Sequence, residues 1–281
     1  MTIRLDKNAY GKNAIHLSKV VRHPDRHEIR QIRVDVSLQG DFDAVHVEGD
    51  NSKVLPTDTM KNTVYALAKD RFTASIEAFG LVLADHFLTH NPQVSGVTIG
   101  LTEACWQRMS FDETEHPHSF LNGGSEKHTT TVVRDRQALV LSAGISDLLI
   151  LKTTDSGFEG YIRDQYTTLK ETADRILSTS CDVSWVYGEM PPDPGALYAG
   201  IRENLLRTFA DHKSLSVQHT LYAMGENVLE AFPVVKEITL KMPNKHHIPF
   251  NLQQFGMDNS NEVFIATEEP YGYITGTVVR G

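Results

Sequence analysis

Val54-Leu55-Pro56-Thr57-Asp58-Thr59-Met60-Lys61-Asn62-Thr63-Val64-Tyr65 reads as extended chain that turns into a helix start. Pro56 pushes Leu55 toward extended backbone. Thr57, Asp58 and Thr59 are each suited to cap a helix, and Met60, Val64, Leu67 and Ala68 then recur at helical spacing. A helix N-terminus offers free N–H groups and the positive end of a dipole. A threonine hydroxyl placed there can touch an anion or an oxygen species, or can simply cap the helix.

Upstream of this run, Ile32, Val34, Val36 and Leu38 alternate with Arg33, Asp35, Ser37 and Gln39. That pattern predicts a strand with one buried and one wet face. With residues 13–22, joined through the turn chemistry of His23-Pro24-Asp25-Arg26, it makes an antiparallel hairpin. Downstream, Ile76, Phe79, Leu83 and Phe87 stripe a second helix over Thr73–Thr89, ended by Asn91-Pro92. Val97, Ile99 and Leu101 mark a strand, and the β-branched Thr129–Arg134 another. A loop between them is expected to carry His116-Pro117-His118 and Asn122-Gly123-Gly124.

Residues 1–134 thus read ββααββ, and the remainder follows a similar order with embellishments. Ala138–Ser142 and Leu148–Thr153 predict a hairpin around Ala143-Gly144. Thr168-x-x-Glu171 resembles a capping box and predicts a helix to Ser178. Cys181–Tyr187 reads as an inserted strand. Tyr198, Ile201, Leu205 and Phe209 mark one helix, and Val217, Leu221, Met224 and Val228 another. Ile238, Leu240 and Met242 alternate in a strand, and a last strand pair is expected at Glu262–Ala266 and Tyr273–Arg280. Two halves of like order suggest duplication and an α+β class, with domains at 1–136 and 137–281.

The 281 residues suffice for two such cores. A net charge of −9 argues against non-specific nucleic-acid binding. The two cysteines form no CxxC or zinc spacing; Cys105, in an apolar run, reads as a buried inert thiol, and a reducing compartment fits. Met1–Asp6 has no apolar signal core, no stretch is long and apolar enough to span a membrane, and the last residues are not a Ser-Lys-Leu address. The expected location is cytoplasmic.

Six islands, in order, carry a resemblance: Tyr10-Gly11-Lys12, Thr57-Asp58-Thr59 with Lys61-Asn62-Thr63-Val64-Tyr65, His116-Pro117-His118-Ser119-Phe120, Arg163 to Thr172, Ser216-Val217-Gln218 and Pro243-Asn244-Lys245-His246. Together they closely resemble the urate oxidase (uricase) family, in a bacterial-type member. The resemblance implies two tandem tunnelling-fold (T-fold) domains, each an antiparallel sheet with helices on one face. Subunits of that family join sheets into a barrel, and two barrels stack in a homotetramer. It also implies cofactor-independent and metal-free oxidation of urate by O2 to 5-hydroxyisourate and hydrogen peroxide.

Residue by residue, the resemblance makes Lys12, Thr57 and His246 a catalytic proton relay. It makes Arg175 and Gln218 the clamp on urate, Phe158 the stacking ring, and Asn244 with His246 and Thr57 the oxygen or water site. Backbone groups of Asp58 and Val217 complete substrate binding. The first set is expected on one subunit and the second on another. The chemistry suits urate, a flat anion with donors and acceptors on its edges: arginine offers a planar fork, glutamine one donor and one acceptor, and phenylalanine a ring face. A threonine hydroxyl needs a neighbour to take its proton. Taken singly, each of these residues is an ordinary surface, cap or turn residue.

His116-x-His118 has a ligand spacing, but its proline and the lack of a third ligand favour no metal. Three departures from the family pattern stand out: His247 where an aromatic residue is common, Pro56 before the Thr-Asp pair, and Ala173 before the clamp arginine. Two other classes remain to be separated from an oxidase, namely a T-fold pterin or purine hydrolase and a non-catalytic purine-binding tetramer. The hydrolase would need a zinc cluster or an anchoring glutamate, and the binder would not need Lys12 or Thr57.

Overall fold

A computed structural model describes residues 3–281. The chain divides into two compact units, one running to Gly144 and including Val186–Tyr198, the other comprising Ile145–Trp185 and Ala199–Gly281. The fold is α+β, with antiparallel strands and few helices.

In the first unit, β1 (Tyr10–Arg22) and β2 (His27–Gly40) form the expected hairpin. Ile32, Val34, Val36 and Leu38 are all essentially buried, as their alternation requires. A short helix α1 (Asp43–Val47), without a buried residue of its own, was not legible from periodicity. Then come α2 (Thr57–Arg71) and α3 (Ile76–His90), the latter capped by Ser75, whose side chain accepts from the Ala78 N–H. They pack on β1 and on β3 (Val94–Phe111) and β4 (Thr114–Asp135), respectively. At Gly80, a Cβ would come within 3.0 Å of Val132 and Leu101 side-chain atoms, so glycine lets α3 lie close on the sheet.

The connection between β3 and β4 is not the long loop expected. A two-residue turn at Asp112-Glu113, both with positive φ, joins two long strands. The His116-Pro117-His118 and Asn122-Gly123-Gly124 segments both lie inside β4. The glycines serve a bulge instead of a turn: pairing jumps from Ala104–Lys127 to Trp106–Asn122, and Gly124 has φ 110°. Cys105, opposite that bulge, is half-buried, not buried as expected; burial pushes its thiol pKa up.

Beyond residue 138, four expectations are corrected. Residues 139–152 form one strand, β5 (Leu139–Lys152), instead of a hairpin; Asp147, at φ 56° with its N–H on Asp182 Oδ1, is only a local irregularity. No helix forms over 168–178. Thr172 pairs its backbone with Phe158, Asp174 accepts from Thr154 Oγ1, and Glu171 accepts from the Gly160 N–H, so the capping box never closes. Strand β6 (Leu177–Tyr187) is integral to the sheet, next to β5 and β7 (Val235–Lys241), not an insertion.

Helix α4 (Pro194–Asp211) buries the stripe Ile201, Leu205 and Phe209, and α5 (Val217–Ala231) buries Val217, Leu221, Met224 and Val228. Helix α5 packs on β7 and β10 (Thr275–Val279). The last two predicted strands do not pair with each other: β9 (Phe264–Ala266) pairs with β8 (His247–Pro249), and β10 pairs with β7. Cys181 is buried and its thiol pKa is pushed up to about 12 by that burial.

Candidate active site

The first unit holds Lys12, Thr57 and Asp58. Gly11 is required beside Lys12, because a Cβ there would sit 1.8 Å from the Val36 carbonyl oxygen. Pairing of β1 with β2 then slips between Lys12 and Ile15, where Ala14 has φ 57° and donates its N–H to Asp35 Oδ1 at 2.6 Å. The bulge interrupts the strand just after the lysine. Tyr10, two residues before it, accepts the Leu55 N–H at 2.9 Å and donates to the Leu55 carbonyl at 3.2 Å. Its ring meets Phe42 edge-on. Tyr10 therefore ties the strand of Lys12 to the segment that delivers Thr57.

Thr57 is the first residue of α2, not its cap. Pro56 occupies the cap position and supplies no side-chain hydrogen bond. The Thr57 hydroxyl is thus spared a capping role and is half-buried at the helix start. Asp58 next to it is held below its ordinary carboxylate pKa by its bond to Lys61, with Asn62 and the charge of Lys12 adding to the effect.

The second unit holds Phe158, Arg175, Val217, Gln218, Asn244 and His246, and backbone pairing explains their arrangement. Phe158 donates its N–H to Thr172 (2.8 Å) and accepts from the Thr172 N–H (3.2 Å), which sets Arg175 three residues further along. The Gly157 N–H donates to Ser214, and the Ser214 N–H donates to Asp155, both at 2.8 Å. Ser214 leads to Ser216, which caps α5 by accepting from the His219 N–H. One loop is thereby pinned both to the arginine and to the helix start bearing buried Val217 and exposed Gln218.

Asn244 and His246 follow β7. Asn244 donates its N–H to Gly272 and Lys245 to Ser178, both at 2.8 Å, while the His246 carbonyl accepts from the Thr267 N–H. Asn244 Nδ2 stands 3.5 Å from His246 Nδ1. The two side chains share a cavity of about 440 Å³ with Arg175, walled also by Leu169, Ile248 and Phe264. His247 borders the same cavity, its Nδ1 3.3 Å from the Lys245 carbonyl.

Arg175 is the most telling member. Its guanidinium stands over the Phe158 ring, 5.3 Å from the centroid. Its Nε is buried without a hydrogen-bond partner, and burial lowers its pKa from the usual arginine value. A buried cationic donor without a partner is costly, and the residue that carries it borders the cavity. The arrangement can bind a planar anion, with an amide and an imidazole beside it. Gln218 and Phe158 do not border this cavity, although the same loop positions them. Sequence reasoning did not single out Tyr161, Thr267 or Phe264; the first two lie in no periodic stretch, and Phe264, within the strand expected at Glu262–Ala266, sits in an apolar run without alternation. Among the described residues, no group of three or more His, Cys, Asp or Glu converges as a metal site.

Comparison with known proteins shows the family and the fold. The family model described as Uricase matches residues 8–133 and 141–275. A uricase of Arthrobacter globiformis is 44% identical over 276 residues, which span 98% of this chain and 90% of that protein. A uricase of Dictyostelium discoideum is 39% identical over 278 residues, spanning 97% and 96%. The crystal structure of the Arthrobacter globiformis uricase superposes with a TM-score of 0.95 at 43% identity, covering all of this chain and 96% of that one. A Bacillus sp. TB-90 urate oxidase, 23% identical with a TM-score of 0.86 over 97% of this chain and all of its own, shares the fold.

Proposed function

We propose how the chemistry is divided over this chain from one premise: the chain belongs to the uricase family and is a urate oxidase. Urate, O2 and water yield 5-hydroxyisourate and hydrogen peroxide. Two electrons leave the purine for dioxygen, and the water oxygen becomes the new hydroxyl.

The Arg175 fork meets adjacent oxygen and ring-nitrogen positions of the urate anion, and Gln218 meets the opposite edge. The observation that supports this is that Arg175, whose buried Nε has no hydrogen-bond partner, borders the cavity shared with Asn244 and His246. Phe158 lies against the ring face, and the N–H groups near Asp58 and Val217 take remaining acceptors. Lys12, Thr57 and His246 move protons between the substrate and the oxygen species, which sits beside Asn244. Thr57 suits that task because Pro56, not its own hydroxyl, occupies the cap position.

Deprotonated urate is itself the electron donor, so the reaction proceeds without metal or organic cofactor. The protein supplies orientation and a preorganised polar pocket. The two residue sets meet across the interface of a homotetramer whose sheets close into a barrel; no nucleic acid or membrane takes part, and the enzyme works in the cytoplasm. No helix among the described residues is long and apolar enough to cross a membrane.

The test is the loss of urate absorbance with stoichiometric peroxide release by chelator-treated, metal-stripped protein. Full retention of rate is expected. Activity that vanished and returned only with zinc or copper would overturn the cofactor-free mechanism.

A further inference from the structure

We infer that Tyr161 is a positioning residue for substrate binding, the base plate on which the Phe158 ring is held flat. This rests on the reading of Phe158 as the ring that stacks on urate. The two rings are nearly parallel, 14° apart, with centroids separated by 4.8 Å. Tyr161 is itself fixed at two points. Its hydroxyl donates to the Leu169 carbonyl at 2.7 Å, and Arg163 lies over its ring, 5.3 Å from the centroid. The result is a column in which Arg163, Tyr161, Phe158 and Arg175 are linked by successive ring contacts.

The segment around the column has no helix or long strand to hold a side chain in place. Phe158 is set by its backbone pair with Thr172, and Gly160 by Glu171, but neither contact fixes the Phe158 ring about its own side-chain torsions. An aromatic ring held only by its backbone keeps rotamer freedom that a ligand must quench on binding. A parallel ring beneath it removes that freedom beforehand; for urate to stack on the opposite face, the Arg175 guanidinium now over the Phe158 ring swings to the edge of the purine. Tyr161 thus acts on substrate affinity through Phe158 without touching the reacting atoms.

Four variants of the whole enzyme separate the possibilities: Tyr161→Leu, Tyr161→Phe, Phe158→Ala, and Phe158→Ala combined with Tyr161→Leu. The readouts are the urate Kd under anaerobic conditions, where no turnover occurs, and the aerobic KM and kcat. Tyr161→Leu should raise Kd and KM by roughly 2- to 12-fold, the equivalent of one aromatic pair, with kcat largely kept. Tyr161→Phe retains the ring and should bind urate within about twofold of the parent, since the hydroxyl only anchors the plate. The double variant Phe158→Ala with Tyr161→Leu should bind no more weakly than Phe158→Ala alone, because the second residue works through the first. If Phe158→Ala weakens binding and Tyr161→Leu does not, or if the two losses multiply, the base-plate role is wrong while the stacking role stands. If Phe158→Ala leaves Kd unchanged, the reading beneath it falls as well.

Discussion

Replacing Arg175 by lysine keeps a positive charge and removes the planar fork. In the structure this guanidinium makes no ion pair among the described residues; its recorded contact is with the Phe158 ring, and its Nε waits unpartnered in the protein interior. Stability should therefore change little, because a lysine retains the cation–ring contact in part, worth about 0.5–1 kcal/mol. Over a chain of this size that corresponds to a Tm shift on the order of 2–4 °C or less. Binding should suffer far more. Losing one charge-assisted hydrogen bond costs about 1.5–3 kcal/mol, which is roughly 10- to 150-fold in the urate Kd. Anaerobic titration of urate gives the affinity directly, thermal unfolding gives the stability, and gel filtration checks that assembly is kept. A Kd unchanged within twofold would remove Arg175 from the clamp. A large loss of Tm would instead make it a structural residue.

Two further outcomes concern the first unit. Lys19 Nζ donates to the Ala68, Lys69 and Phe72 carbonyls at 2.8–2.9 Å, closing the C-terminal end of α2; Lys19→Met should cost about 2 kcal/mol in urea unfolding, and no change would show that water caps those carbonyls equally well. Glu77, fully buried on α3, is pushed up by burial, but the His128 hydrogen bond at 2.8 Å and the charge of His128 outweigh this and leave its pKa below the ordinary glutamate value. A depressed folded-state pKa adds stability above the unfolded value, about 4.3, that is lost as pH falls through the folded one. Glu77→Gln should therefore flatten the acid limb of a stability–pH curve below about pH 4.5, and a limb of unchanged slope would discard this pair as a source of acid sensitivity.

The legible parts of the fold are those where packing imposes a period. The stripe Ile32–Leu38 and the stripes of α3 and α5 are all buried as their spacing requires, and that of α4 is buried except for the half-buried Tyr198. The failures share one cause, that tertiary partners outbid local chemistry. Gly123-Gly124 looks like a turn but relieves a bulge opposite Cys105, while the true turn uses Asp112-Glu113. Thr168-x-x-Glu171 looks like a capping box, yet Glu171 and Thr172 are claimed by Gly160 and Phe158. Local residue types said little about the site; the family resemblance named its residues. Even then it could not show that Pro56, and not Thr57, occupies the cap position of α2, or that Arg175 borders a cavity with its Nε buried and unpartnered. Those facts depend on neighbours distant in sequence.

The division of the site between chains is tested most directly by complementation. Thr57→Ala and Arg175→Ala proteins, each inactive alone, are co-expressed or refolded together, and mixed oligomers are verified by differential tags. If Thr57 of one chain works with Arg175 of another, a mixed two-fold interface pairs wild-type with wild-type on one side and both lesions on the other. Random equal mixing should then restore about a quarter of the sites, by that reciprocal symmetry. Verified mixed oligomers without recovered urate oxidation would contradict the account and place the whole site within one chain.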